Sequence, residues 1–229
     1  MPRTKEATLK EKMERKFYAK LSSNKNQDIL TQIYQLKILI CNIYPPIWRR
    51  ILILNRSTLR DLHKSIQKWF NWSDYHLYEF YFYLGKDFYS RTSIRGSGGL
   101  LGPKIPDPKL NEEEIRLCDV FTEYTKKIWY LYDFGDNWEH EITLERIFPY
   151  REGFKESICV GGDRAAPPED CGGVWGYQDI LKALNNPTNP EYSQLLEWVG
   201  EDFDPEDMGI SIEQMTQKEI EQKMGKKES

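Results

Sequence analysis

The chain has 229 residues, enough for one large domain with a hydrophobic core of its own. Its formal net charge of -4 excludes capture of nucleic acid by overall charge and leaves only a local basic patch for that role. Four cysteines without a CxxC pair, no apolar run of membrane-spanning length and a charged N-terminus exclude disulfide-scaffold, membrane and secretory classes. The expectation is a cytoplasmic protein with free thiols.

Residues 1–30 read as a charged helical arm and linker, with Leu9, Met13, Phe17 and Leu21 forming a narrow apolar stripe. The main domain is expected over 31–212 and a charged tail over 213–229. Within the domain, Tyr34, Leu36, Ile38 and Ile40 alternate with polar residues, which predicts a strand. Ile47–Leu54 predicts a second, with Trp48, Arg49 and Arg50 at its start. Thr58 followed by Asp61 forms a capping-box signature for a helix whose apolar face holds Leu59, Leu62, Ile66, Trp69 and Phe70. An aromatic strand follows from His76 to Leu84. This order predicts an α+β protein in which a β-grasp-like mixed sheet wraps one helix.

Residues 85–112 are rich in glycine, proline and basic side chains and read as a long loop, functional or disordered, carrying Arg91 and Arg95. A short helix or turn is expected at 115–121. Lys127–Ile147 then gives two alternating runs joined by Asp-Phe-Gly-Asp-Asn. The second run places Trp138, His140, Ile142 and Leu144 on an apolar face and Glu139, Glu141, Thr143 and Glu145 on the other, the pattern of a hairpin. The Asp-Phe-Gly tripeptide is turn chemistry, because no phosphate loop or kinase catalytic loop precedes it. Cys159–Gly176, with two Gly-Gly pairs and Pro167-Pro168, reads as a defined irregular path. A C-terminal helical half follows: one helix with Tyr177, Ile180, Leu181 and Leu184, one with Tyr192, Leu195, Leu196 and Val199, and a third after Asp204-Pro205 that frays from Met215.

Taken together, the segments PPIWRRI, TLRDLHKSIQKWFNW, HLYEF, YLYDFGDNWEHEITLE, PPEDCGGVWGY and GEDFDPE resemble the plasmid pRi open-reading-frame-three family over roughly residues 33–210. Family members often carry a transposon-passenger or resolvase-like label, so the resemblance implies an association with mobile elements. A serine recombinase needs a nucleophilic serine in an arginine-rich site and a basic DNA-binding domain. The arginines here fall in a strand and a glycine-rich loop.

Three functional readings follow from the residues. The favoured one is a non-enzymatic binding module for an unknown protein or nucleic-acid partner, with no membrane association and no cofactor. His140 is then a buried ring between Trp138 and Ile142, donating to a carboxylate such as Asp136 or Asp170. The second is a hydrolase or nuclease-like enzyme that uses His140 with Asp133, Asp136, Glu169 and Asp170 as an acid–base or metal set. The third is nucleic-acid or partner contact through Arg49, Arg50, Arg91 and Arg95. Alternation sends Arg49 and Arg50 to opposite sheet faces, so one of them is expected to pair an acid. His140 with Cys159 and Cys171 is the thiol-bearing metal set on offer, but the twelve-residue cysteine spacing matches no standard finger and no metal is expected. His63 is expected at the core boundary and His76 in a structural role.

Overall fold

A computed structural model of the chain describes residues 19, 29–84, 90–96, 111–186, 188, 190, 192–200, 202–212 and 214–225. The N-terminal arm and most of the glycine-rich loop lie outside the described residues.

Among the described residues, seven strands and five helices follow the sequence in the order β1 (Gln32–Ile40), β2 (Trp48–Leu54), α1 (Leu59–Phe70), β3 (Tyr78–Leu84), β4 (Ser90–Arg95), α2 (Leu117–Val120), β5 (Lys127–Tyr132), β6 (Trp138–Pro149), β7 (Ile158–Asp163), α3 (Gly173–Leu184), α4 (Tyr192–Val199) and α5 (Gln217–Gly225). The strands form one sheet in the order β4-β3-β5-β6-β1-β2-β7. The α+β class is therefore observed. The mixed sheet of a β-grasp is not formed, since every pairing among the described strands is antiparallel. The place beside β1 opposite β2 is taken by β6, a long strand that runs antiparallel to β1 with matching apolar parity, Ile38 facing Ile142 and Ile40 facing His140.

One face of the sheet is covered by α1. Thr58 caps this helix, its side chain accepting from Asp61 N while Asp61 reaches back to the Thr58 backbone, and Asn71 closes it in the left-handed region at φ 56°. Leu59, Leu62, Ile66 and Phe70 pack onto Leu36, Ile38, Phe80, Tyr130 and Ile142 in one continuous core. Each such side chain contributes about 1.5–3 kcal/mol by leaving water. His63 lies fully inside this core rather than at its boundary. Its Nδ1 is 2.8 Å from the Tyr130 hydroxyl, its Nε2 is 2.8 Å from Asp74, and its ring stacks on Tyr78.

A register shift between Gln35 and Leu36, opposite Leu144 and Arg146, interrupts the β1–β6 ladder. Beyond it Phe148 turns to the opposite face of the sheet, where it joins Ile33, Leu52 and Val160. Ile220 and Met224 of α5 cover that second cluster. The segment expected to fray from Met215 thus contains a packed helix, whereas residues after Asp204-Pro205 form turns. Two further strands depart from the sequence reading. β4, inside the expected loop, carries Arg91 and Arg95; it is a short polar edge strand with little apolar signal. β7 includes Gly161 and Gly162. A Cβ at Gly162 would stand 2.9 Å from the Trp48 carbonyl oxygen and 2.7 Å from Met208 Sδ, so the strand is continuous only because no side chain is there. No described helix is long and apolar enough to cross a membrane.

Candidate functional site

The β5–β6 turn and the Pro167–Gly173 segment meet at one end of the sheet. The turn is built by Asp133 at φ 57° and Asn137 at φ 61°. Asp133 Oδ1 accepts from Gly135 N at 2.8 Å, and the Asp133 carbonyl accepts from Asn137 N at 2.6 Å. The second segment docks through two acids. Asp136 Oδ2 accepts from Gly172 N at 3.1 Å. Glu169 accepts from the Tyr132 hydroxyl at 2.5 Å through one oxygen and from Ser73 N at 3.1 Å through the other. The Tyr132 hydroxyl in turn accepts from Tyr75 N, and its burial beside Glu169 holds its pKa well above the ordinary phenol value. Trp72 Nε1 donates to the Pro167 carbonyl at 2.9 Å. Gly173, at φ 69°, permits this approach: a Cβ there would come within 2.4 Å of the Asp136 carbonyl oxygen.

His76, on the approach to β3, completes the junction. Its Nδ1 lies 3.7 Å from Asp133 Oδ2 and its Nε2 lies 3.3 Å from Asp170 Oδ1. Neither contact has hydrogen-bond geometry, and Nε2 is shielded from solvent without a hydrogen-bond partner among the described residues. One donor atom from each of His76, Asp133 and Asp170 lies within 4.8 Å of the other two. One imidazole nitrogen and two carboxylate oxygens form a donor set that suits a divalent transition metal. The two carboxylates face different nitrogens of the same ring, so joint ligation requires a side-chain rotation.

His140 takes no part in this junction. It is fully buried on β6, on the apolar face as expected, but no carboxylate meets its ring. Nδ1 faces the backbone carbonyls of Trp138 at 3.0 Å and Tyr130 at 3.3 Å, which makes it the protonated nitrogen. Nε2 has no hydrogen-bond partner among the described residues. The ring packs edge-to-face with Phe70 and Trp72. Burial drives its pKa from 6.5 down to about 4. The expected bond to Asp136 or Asp170 fails because those acids project from loops at the sheet's end. His140 lies inside the strand, two residues from that end.

The metal set of His140, Cys159 and Cys171 is not assembled among the described residues, and His76, Asp133 and Asp170 form the cluster found. Cys159 Sγ donates to the Gly161 carbonyl on β7. Cys171 is half-buried, its thiol pushed up to about 12 by desolvation and the nearby Asp136 carboxylate.

The four arginines are engaged within the protein. Arg49 and Arg50 diverge to opposite faces, as alternation requires. Arg49 is fully buried, donating to the carbonyls of Trp69, Trp48 and Asp163 at 2.8–3.0 Å, with its guanidinium over Phe70. Burial lowers its pKa to about 10. Arg50 makes a bidentate pair with Glu145, at 2.6 and 3.0 Å. Arg91 and Arg95 both reach Glu79, and Arg91 also lies 3.8 Å from the Tyr81 ring centroid.

His76 was legible in the sequence only as a strand-opening histidine. Its meeting with Asp133 and Asp170 joins positions 57 and 94 residues further along the chain, and no local spacing encodes that.

The fold and the junction can be set beside known proteins. A crystal structure of a protein of unknown function, MM3350 from Methanosarcina mazei Go1, is similar over 78% of this chain and 96% of that one, with 42% identity and a TM-score of 0.67. A protein from Sinorhizobium fredii named "Uncharacterized protein y4hQ" is 32% identical over 179 residues, covering 77% of this chain and 86% of that protein. The family described as plasmid pRiA4b ORF-3-like protein matches residues 32–211, a span that runs from β1 through the junction to the turns after α4. The chain belongs to the plasmid pRiA4b ORF-3-like protein family.

Proposed function

We propose that the chain is a non-enzymatic binding module. The observation that carries this reading is the sealing of His140. Its ring has no exposed surface, its protonated nitrogen faces two backbone carbonyls, and its pKa is held near 4. A group so placed exchanges no proton with a substrate, which general acid–base catalysis requires. Asp136 and Glu169 support the same reading, because each uses its carboxylate to fix backbone at the junction. An association with mobile elements rests on the family resemblance alone.

A second reading is favoured by one specific observation, the convergence of His76, Asp133 and Asp170. On that reading the protein is a metal-assisted hydrolase centred on His76 instead of His140. In this role a bound divalent ion supplies a nucleophilic hydroxide at neutral pH. One experiment separates the two. The full chain is assayed against p-nitrophenyl acetate and bis-p-nitrophenyl phosphate with added Mn2+ or Zn2+, beside His76→Ala and Asp133→Asn. The binding-module reading expects no turnover above the buffer blank. Turnover by the native chain that both variants lose, while they remain folded, would refute it in favour of the hydrolase.

A further inference from the structure

A groove of about 560 Å3 runs between α1, the end of β2 at Ile53 and Leu54, and residues 155–157. Its volume lies within the range of about 300–1,000 Å3 that small-molecule ligands use. Arg56, Lys64, Lys68 and Lys155 line it, against two acids, Asp61 and Glu156. All four cations are exposed. In a chain of net charge -4, four cations along one groove are a local reversal of sign.

Four cations against two acids leave the groove a surplus of two positive charges, and neither acid pairs with a groove lysine among the described residues. Asp61 is engaged in capping α1, its Oδ2 accepting from Thr58 N at 2.8 Å and Thr58 Oγ1 at 2.9 Å. Lys64 and Lys155 make no ion pair or hydrogen bond among the described residues. Lys68 Nζ rests 4.5 Å from the Trp69 ring centroid, a contact that leaves its ammonium protons accessible. Arg56 donates to the Ile29 carbonyl at the rim. Two of the three serine hydroxyls in the groove are used internally: Ser157 Oγ donates to Ser65 Oγ, and Ser65 Oγ donates to the Asp61 carbonyl, both at 2.8 Å. Recognition therefore falls to the lysines. Their ammonium groups sit on flexible stems and contact phosphate oxygens as point charges, without the planar geometry an arginine fork demands.

We infer that this groove binds a small phosphate-bearing ligand, held by Lys64 and Lys155 from its two walls. The inference rests on the reading of the chain as a binding module and names its ligand class. A small ligand is favoured over a nucleic-acid strand because the chain's net charge of -4 opposes an extended polyanion.

The test titrates the full chain with inorganic pyrophosphate by calorimetry at low and at physiological salt. The Lys64→Ala/Lys155→Ala double variant and the control Lys182→Ala, whose lysine pairs with Asp179 on α3, are titrated alongside. Both groove lysines are exposed, so the double variant should melt like the native chain. The expected result is one saturable site, weakened about tenfold or more in the double variant, unchanged in the control, and releasing no orthophosphate. Binding with orthophosphate release that the double variant abolishes would keep the groove and overturn the module reading. Absence of saturable binding would remove the groove and leave the module reading standing. Equal weakening by Lys182→Ala, or tighter binding of a short single-stranded oligonucleotide that displaces pyrophosphate, would overturn the small-ligand assignment.

Discussion

Replacing His140 with Gln should flatten the acid limb of the protein's stability curve. Glutamine can still donate to the Trp138 carbonyl from the space the imidazole fills, but it does not titrate. In the native chain the ring is fully buried and its pKa falls from 6.5 to about 4 through desolvation. Below pH 6.5 the unfolded chain takes up a proton at this residue and the folded chain does not. Stability from the neutral ring is thus fully present above pH 6.5 and is lost as pH falls toward 4. The gap between 6.5 and about 4, at about 1.4 kcal/mol for each pH unit, comes to roughly 3 kcal/mol. Urea unfolding of both proteins from about pH 7.5 to about pH 4.5 measures it. At neutral pH the substitution should cost about 1–3 kcal/mol, because hydrogen bonding and packing are only partly reproduced. Toward pH 4.5 the difference between the two proteins should shrink or reverse. His63, whose pKa is also lowered by burial, is common to both and cancels in the comparison. Parallel stability curves, or an NMR titration of the His140 ring with a midpoint near 6.5, would refute the argument.

Other expectations follow from neighbouring parts of the structure. Leu62→Ala, at a position with no exposed surface under α1, should destabilise by about 2–5 kcal/mol in urea unfolding; a near-zero change would mean that α1 does not seal the sheet. Arg49→Ala removes a fully buried guanidinium that donates to three backbone carbonyls and should cost about 3 kcal/mol or more. Arg50→Ala, one residue along on the opposite face, loses a partly exposed pair with Glu145 and should cost only about 1 kcal/mol; equal losses in denaturation would contradict the assignment of faces. Burial beside acids raises Cys41 to about 11 and Cys171 to about 12, so both thiols should react slowly with a disulfide reagent at mildly alkaline pH and quickly once unfolded. Fast labelling of either in the folded chain would count against that.

Features under short-range chemical control are legible in the chain before it folds. Thr58 and Asp61 start α1 because a hydroxyl and a carboxylate three residues apart satisfy the first helical N–H groups. Period-two alternation assigned Trp138, His140, Ile142 and Leu144 to the buried side of β6, and it parted Arg49 from Arg50. Edge and glycine-bearing strands escaped that logic. β4 offers one buried aliphatic, Ile94, and β7 contains two glycines, so neither displays a strand's pattern although both are paired in the sheet. The helix at Gln217 was hidden because its apolar pair, Ile220 and Met224, acquires meaning only when the shift at Gln35 turns Phe148 toward it. Tertiary structure alone decided which acids meet which histidine. Strand order brings the β5–β6 turn, the Pro167–Gly173 segment and the start of β3 to one end of the sheet. Side chains that project from loops there can converge on His76, whereas His140, inside a strand, can meet only what packs on its face.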